Sequence, residues 1–363
     1  MTIRVLRGID WYLLVLTLLL CALGVLQIYS ATHGTKWQDA WWKQLIFVAF
    51  GLGLMWIMSQ LDYHSLVSRV YPLYGATIGL LIVTMLVGSR VFGSTRWIRV
   101  AGFTFQVSEF AKIVVVLLVA RYLSDLRAGQ QVVWQDLAKL GGLVAVPMVL
   151  VMKQPDLGTS LTYIPILVCG ILMAGLRTKY LLIIATALLV CLPIGYHFLK
   201  PYQKDRLASF VDPERDPKGT GFQVIQSRIA VGNGGMWGRG VTQGSQTHLG
   251  FLPVPHTDFI FSSFAEEHGF VGVVVALVLF FLFIMQVVQN AQTAGDREGV
   301  YICMGIGALI LFHVLVNVGM VVGRMPVTGI PLPLMSSGGS NVLSVFLMLG
   351  LVNSVRLRRS VTT

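Results

Sequence analysis

The sequence contains little charge and few acidic residues. Of its 363 residues, 12% are Asp, Glu, Lys or Arg and only 16 are acidic, whereas 55% are hydrophobic and the mean hydropathy is +0.75. Soluble domains are about one quarter charged. The composition therefore excludes a soluble globular protein and predicts a chain whose main solvent is lipid.

Cysteine is also scarce. The four cysteines, Cys21, Cys169, Cys191 and Cys303, all lie in apolar runs and form no CxxC pair. We therefore expect neither a disulfide framework nor a cysteine metal site. A cleavable signal peptide is not expected either, because the first apolar run is long enough to span and lacks a small-residue cleavage site.

The apolar runs predict an all-α polytopic membrane protein. A helix needs about 20 apolar residues to cross the hydrocarbon layer, and the sequence contains about ten such runs. They form a single integral membrane domain over residues 1–363, with one large extracytoplasmic loop at about 200–258, after the seventh span. The predicted spans cover roughly residues 11–30, 44–61, 71–88, 106–124, 139–153, 158–175, 180–199, 268–289, 300–322 and 333–354.

The distribution of basic residues predicts the orientation. With ten spans both termini lie on one side, where the end segments and short loops hold twelve Lys or Arg, against seven in the short loops opposite. The positive-inside rule then places both termini in the cytoplasm. The net charge of +11 is spread over loops at the membrane surface, so we expect anionic membrane lipids as partners and no nucleic acid.

Several cations lie on the outer side against this rule. Arg96, Lys153 and Arg324 each occur in a loop rich in Gly, Pro, Ser or Thr. Cations that converge on one extracytoplasmic face suit an anionic ligand such as a pyrophosphate. Binding of lipid headgroups is the alternative.

Three further charges lie in or beside the spans. Glu109 and Lys112, at i and i+3 in the fourth run, share a helix face and can pair. An ionisable pair inside a membrane indicates a functional site, although it can also serve only to orient a helix. Asp156, in the break KQPDLGTS between two spans, is expected either to cap the next helix or to belong to a polar pocket.

The long loop and its end carry the most polar patterns. Residues 254–269 hold three carboxylates and two histidines, among them His256 and Asp258. These two could share a divalent ion, but two residues make a weak metal signal. Upstream, Phe222, Ile225 and Ile229 predict an amphipathic helix along the membrane surface, and GNGGMWGRG predicts a flexible or close-packed loop over a substrate groove.

Five motifs together resemble one family. These are SEFAK (108–112), QPDLGTS (154–160), FQVIQSRIAVGNGG (222–235), FLPVPHTDFIFSSFAEEHGF (251–270) and PVTGIPLPLMSSGGSN (326–341). In this order and between these spans they resemble the shape, elongation, division and sporulation (SEDS) proteins. The likeness is greater to the elongation branch, RodA, than to the division branch, FtsW.

The resemblance implies a function and its residues. It implies a peptidoglycan glycosyltransferase of the bacterial inner membrane that polymerises lipid II during cell elongation, together with a class B penicillin-binding protein (the transpeptidase) and other elongation-complex proteins. It also implies that Asp258 is the catalytic carboxylate, and that Glu109, Lys112 and Asp156 are functional.

The chemistry of polymerisation adds further expectations. Asp258, at the extracytoplasmic face, would act as a general base on the attacking sugar hydroxyl in an inverting transfer. Lys112, Arg96 and a divalent cation such as Mg²⁺ or Mn²⁺ would stabilise the departing pyrophosphate. Ser336 and Ser337 offer sugar or phosphate contacts, or only a helix cap. The alternatives are a lipid II flippase, with Glu109, Lys112 and Asp156 lining a path, and a scaffold that only docks other proteins.

Overall fold

The described part of the chain consists of helices and one small sheet. A computed structural model describes residues 8–91, 94–100, 103–126, 131–180, 182–183, 186, 197, 201–217, 219 and 221–359. In chain order the elements are α1 (Trp11–Thr32), α2 (Ala40–Gln60), α3 (Tyr63–Ser68), α4 (Val70–Val87), β1 (Ser89–Val91), β2 (Ser94–Val100), β3 (Phe103–Phe105), α5 (Val107–Ser124), α6 (Trp134–Lys153), α7 (Leu157–Leu161), α8 (Tyr163–Met173), α9 (Pro201–Val211), α10 (Phe222–Asn233), α11 (Ser245–His248), α12 (Ile260–Gln292), α13 (Arg297–Val321) and α14 (Gly339–Arg358).

The all-α polytopic fold is confirmed. Among the described residues, seven helices are long and apolar enough to cross a membrane: α1, α2, α4, α6, α12, α13 and α14. Helix α5 coincides with the fourth predicted span but carries Glu109, Lys112 and Arg121. The predicted span 158–175 is divided into α7 and α8, and the predicted span 180–199 lies almost entirely outside the described residues. The total of ten spans stays a prediction.

The segment around Arg96, predicted as a loop, forms the antiparallel sheet β1-β2-β3, in which Ile98 pairs with Phe105. Helix α12 begins at Ile260, and its non-helical residue Gly269 lies one residue after the predicted start of the eighth span at 268. We refer below to the end of the bundle where α1 ends and α2 begins, predicted to be extracytoplasmic, as the outer end, and to the opposite end as the inner end.

Helix α12 is broken at Gly269, and the glycine-rich segment 234–240 lies against the break. Gly269 has φ 64° and ψ −167°, a conformation essentially restricted to glycine. The amides of Phe270 and Val271 donate to the carbonyls of Gly235 and Met236 at 2.8 and 3.1 Å. These bonds replace helical hydrogen bonds lost at the break, so of the two predicted alternatives, a flexible or a close-packed segment, the structure has the close-packed one. Its predicted position over a substrate groove stays a prediction.

Alanine at position 269 is expected to destabilise the protein. Its Cβ would meet the backbone of Gly238 and Met236, and the strained backbone would add a cost of about 1–3 kcal/mol. The measurement is thermal unfolding of Gly269→Ala in detergent. Gly79→Ala is the control, because a Cβ at that position meets nothing within 4 Å. Equal melting temperatures for the two variants would contradict the expectation.

Helix α10 confirms the predicted helix. Its small side chains lie against the bundle, and the predicted contact of its large apolar residues with the membrane surface stays a prediction. The buried residues are Val224, Ser227 and Ala230, whereas Ile229 is 40% exposed. The Ser227 hydroxyl donates to the carbonyl of Val321 at 2.8 Å. Small side chains let helix backbones approach closely, which explains why they, and not the large apolar residues, face the bundle.

The first and last helices of the described chain are joined at the inner end by a buried carboxylate. Asp10 is 1% exposed and caps α1 through the amide of Leu13. Its other oxygen accepts hydrogen bonds from Gln286 and Asn290 at 2.7 Å each, and from Arg356 at 3.0 Å. Three helices, α1, α12 and α14, are thus tied together at one point.

Candidate active site

Four segments meet at the outer end of the bundle. They are the β2–β3 hairpin, the turn before α7, the segment before α12 that contains Asp258, and the segment 323–338 before α14. The Ser336 hydroxyl donates to the carbonyl of Thr257 at 2.8 Å, and the amide of Ser337 donates to the carbonyl of His256 at 2.9 Å. We call this meeting point the loop junction.

Asp258 is half-buried in the loop junction, two residues before α12 begins. Asn317 on α13 fixes its backbone by donating to the carbonyls of Asp258 and Ile330 at 3.0 and 2.8 Å. Burial raises the pKa of the Asp258 carboxyl; the charges of Arg96 and Arg206 oppose this shift, and that of Asp156 adds to it. The net direction is upward, which is what a general base that works near neutral pH requires.

Asp156 is buried and makes three polar contacts. It caps α7 by accepting a hydrogen bond from the amide of Thr159 at 3.2 Å. Its carboxylate also accepts from Gln106 at 2.8 Å and forms an ion pair with Arg96 at 3.2 Å. The helix cap and the polar pocket, offered as alternatives by the sequence, are both present.

Arg96 is brought to the loop junction by strand β2. Its guanidinium is 30% exposed and pairs with Asp156, and its charge acts on Asp258. Arg96 is therefore one of the two cations whose charge lowers the pKa of the candidate catalytic carboxylate. Contact between Arg96 and a pyrophosphate stays a prediction.

Arg206 is a site residue that the sequence interpretation missed. It lies on α9, donates to the carbonyl of Val327 at 3.1 Å, and its charge also acts on Asp258. The only available signal was its position in the long extracytoplasmic loop. Cations there were given no weight, because long loops translocate regardless of charge.

Glu109 and Lys112 form the predicted pair, but inside the bundle. Their Oε2 and Nζ atoms lie 2.8 Å apart, and the residues are 3% and 1% exposed. Asn341 donates to Glu109 at 2.9 Å, and the Nζ of Lys112 lies 3.5 Å from Nε2 of His313. His313 and Asn341 were not singled out from the sequence, although a histidine within an apolar run is itself a signal of an intramembrane polar site.

The buried pair reaches the loop junction only through other residues. Nδ1 of His313 lies 3.1 Å from the carbonyl oxygen of Pro331, which belongs to the segment before α14. Neither the Lys112 nor the Glu109 side chain opens onto the surface of the loop junction, and their predicted roles at the substrate stay predictions.

Ser336 and Ser337 have different surroundings. The Ser336 hydroxyl is 1% exposed, accepts from the amide of Leu332 at 2.9 Å and donates to Thr257. Both bonds tie one loop to another, and contact of this hydroxyl with a sugar or phosphate stays a prediction. Ser337 is half-buried, and its predicted role stays a prediction.

Glu266 and Glu267 hold the structure around the junction. Glu266 accepts from the amide of Gln246 at 2.9 Å, and Glu267 accepts from the hydroxyl of Ser30 at 2.6 Å. Both are buried, at 0% and 2% exposure. Their partners belong to the long loop and to α1, so these carboxylates support the segment that carries Asp258.

Metal ligands are not gathered around Asp258 in the described part of the chain. Among the described residues, the one group of three potential metal ligands lies at the inner end and consists of His64, Asp296 and Glu298. Asp156 and Asp258 both belong to the loop junction, and carboxylate oxygens are ligands of the kind that Mg²⁺ prefers. The divalent cation stays a prediction.

Comparison with known proteins identifies the family. The profile of the FtsW/RodA/SpoVE family of cell cycle proteins matches residues 10–361. The chain belongs to this family. It is 33% identical to the peptidoglycan glycosyltransferase RodA of Treponema pallidum, over 99% of this chain and 100% of that protein. It is 35% identical to the peptidoglycan glycosyltransferase MrdB of Escherichia coli K12, over 97% and 94% of the two chains.

A solved structure extends the FtsW/RodA/SpoVE relationship to three dimensions. The chain is similar to a protein chain in a solved structure of a peptidoglycan synthase complex that coordinates polymerization and crosslinking. The TM-score is 0.83 and the sequence identity is 34%. The similarity covers 97% of this chain and 98% of that chain. The resemblance drawn from the five motifs is confirmed at the level of family and fold.

Proposed function

We propose that this protein is a peptidoglycan glycosyltransferase that polymerises lipid II into glycan strands during cell elongation. The observation that carries the proposal is a half-buried carboxylate, Asp258, at the outer end of an apolar bundle, with the charges of Arg96 and Arg206 acting on it. The reactive bond of a lipid-linked sugar pyrophosphate lies at headgroup level, so a carboxylate at this depth is suitably placed. The named relatives support the same activity.

The proposed chemistry needs one base. A sugar hydroxyl of the acceptor attacks the anomeric carbon of the donor, and Asp258 accepts the hydroxyl proton. A new C–O bond forms while the bond from carbon to pyrophosphate breaks, with inversion at that carbon. Base catalysis of this kind contributes roughly 10²–10⁴ in rate, and the raised pKa of Asp258 brings its basicity closer to the operating pH.

Positive charge at the loop junction would stabilise the leaving pyrophosphate. Arg96 is half-buried and held by Asp156, and a preorganised guanidinium can bind phosphate oxygens with two parallel hydrogen bonds. A divalent cation such as Mg²⁺ or Mn²⁺ would supply additional neutralisation of the pyrophosphate when bound.

The flippase alternative receives less support. A translocation path would need Glu109 and Lys112 to face an aqueous route across the membrane. In the described bundle the two side chains face each other, Asn341 and His313, with almost no exposure. A protein that only docks other proteins would not need the raised pKa of Asp258 or the two cations, Arg96 and Arg206, that act on it.

The partners and the orientation belong to the same proposal. We infer a multi-pass protein of the bacterial inner membrane, with both termini in the cytoplasm and the loop junction facing outward. A class B penicillin-binding protein would crosslink the strands, within a complex that includes other elongation proteins. The similarity to a chain of a peptidoglycan synthase complex supports this inference.

Synthesis from a defined substrate tests the function. Purified protein, alone and together with a class B penicillin-binding protein, is given labelled lipid II, and glycan chains are separated by length. The same protein in vesicles is assayed for lipid II translocation. Polymerisation without translocation is expected. Translocation without polymerisation would replace the proposal with the flippase.

Arg96→Lys is expected to slow polymerisation about tenfold or more. Lysine keeps the positive charge beside Asp156 but loses the fork that binds phosphate at two points, and one hydrogen bond to a charged group contributes about 1.5–3 kcal/mol. The control is Arg239→Lys, since Arg239 is an exposed cation of the long loop that contacts the carbonyl of Asn233. An unchanged rate in Arg96→Lys would limit Arg96 to holding Asp156.

The pH dependence of synthesis reports on Asp258. The base must be deprotonated, so activity is expected to fall as the pH decreases through the raised pKa, with a midpoint above the value of about 3.9 for ordinary aspartate. Arg206→Gln removes a charge that lowers this pKa, so the acid limb should move to higher pH. Arg239→Gln should leave it in place. An acid limb that does not respond to Arg206→Gln would indicate a different titrating group.

A further inference from the structure

The inner end of the bundle carries a polar cavity that the proposed reaction does not use. It has a volume of about 490 Å³ and lies where α1 begins and where α12 and α14 end. Its walls include Asp10, Trp11, Tyr12, Gln289, Arg356 and Arg359. This mixture of guanidinium, amide and aromatic groups at a helix end is typical of the headgroup region of a membrane.

The lining residues leave an excess of positive charge. Asp10 is buried and neutralised by Arg356 at 3.0 Å. The side-chain contacts of Arg356 with described residues use only its Nη1 atom, and the side chain is 25% exposed, so its other N–H groups remain to face the cavity. Arg359 is exposed, and no ion pair joins it to a described residue. The described lining residues therefore offer two guanidinium groups and one net positive charge.

Two exposed apolar stripes lead from this cavity along the bundle. On α1, Tyr12, Val15 and Leu19 share one helix face and are 49%, 50% and 46% exposed. On α12, Phe281 and Met285 precede the lining residue Gln289 at steps of four and are 62% and 46% exposed. Both stripes begin at the cavity and run toward the middle of the membrane, where side chains meet acyl chains.

We propose that this cavity binds the phosphate headgroup of an anionic phospholipid, whose acyl chains lie along the stripes on α1 and α12. The phosphate would accept hydrogen bonds from Arg356 and Arg359, and Tyr12 would lie at the boundary between headgroup and chains. In the predicted orientation this lipid belongs to the cytoplasmic leaflet. A free phosphate would use the same cations but would gain nothing from the apolar stripes.

Lipid titration of the whole protein tests the site. Native mass spectrometry of the detergent-purified chain measures binding of phosphatidylglycerol, of phosphatidylcholine, and of phosphatidylglycerol in the presence of excess glycerol 3-phosphate. We expect phosphatidylglycerol to bind at least about fivefold more tightly than phosphatidylcholine, the ratio that one cation near a headgroup contributes, and the soluble phosphate not to compete. Equal binding of the two lipids would overturn the proposal, and full competition would replace the lipid with a free phosphate.

A matched pair of variants assigns the binding to this cavity. Arg359→Gln removes an exposed guanidinium at the inner end and should reduce the preference for phosphatidylglycerol by about fivefold. Arg69→Gln removes another exposed guanidinium predicted at the same membrane surface, away from the cavity, and should leave the preference unchanged. Arg359→Lys should keep most of it. Equal losses in Arg359→Gln and Arg69→Gln would show general attraction to a basic surface and overturn the site. Thermal unfolding in the same detergent verifies that each variant is folded.

Discussion

Asp258→Asn is expected to abolish polymerisation while the protein folds and still binds lipid II. Asparagine keeps the size of the side chain and most of its hydrogen bonding but cannot accept the proton of the attacking hydroxyl. The expected loss is about 10²–10⁴ in rate. Asn317 holds the backbone of residue 258 through its carbonyl, so the substitution does not disturb the anchoring of the loop.

The measurement is glycan synthesis from labelled lipid II, with lipid II binding assayed in parallel. Asp205→Asn is the matched control, because Asp205 is an exposed carboxylate on α9 beside Arg206. The control should polymerise at the normal rate. Near-normal synthesis by Asp258→Asn would remove Asp258 from the role of base and would restore the transporter hypothesis.

Lys112→Met is expected to cause the largest loss of stability. It leaves the Glu109 carboxylate buried without its cation, and breaking a buried pair in this way costs about 3–5 kcal/mol. Glu109→Gln should also destabilise, since it leaves the ammonium group of Lys112 beside His313 alone. The double variant Glu109→Gln/Lys112→Met should lose less than the sum of the two, because no unpaired charge remains.

Thermal unfolding in detergent and lipid II polymerisation are measured for all four proteins of this cycle. The burial of the pair indicates that it only positions the loop junction. In that case the polymerisation rate should decrease across the four proteins in the same order as the melting temperature. A double variant that regains stability but not activity would place Lys112 at the substrate. Additive losses of stability would mean that the two groups do not interact directly.

The sequence predicted best those features that depend on nearby residues. Helical spacing alone brings Glu109 and Lys112 onto one face, and the pair is present. Hydropathy located most of the long helices within a few residues of their ends, because length and apolar composition determine a membrane span. A cap was one of the two roles that its place before α7 predicted for Asp156, and it caps that helix.

Features that depend on residues distant in the sequence were not predicted. The sequence did not predict that β2 brings Arg96 to Asp156, sixty residues later in the chain. His313 was overlooked because its partner Lys112 lies 201 residues away. The bonds of Ser336 to another loop likewise follow from the tertiary arrangement, which no local spacing reveals.

The carboxylate of Asp10 has a consequence for how the protein is made. Its cationic partner, Arg356, lies 346 residues further along the chain, so during synthesis α1 enters the bilayer long before the group that neutralises its cap exists. Until α14 is made, the carboxylate can be met only by the side-chain amides of Gln286 and Asn290 on α12. A chain that stops before residue 356 would therefore keep the amide partners of this cap but lack the guanidinium that neutralises it.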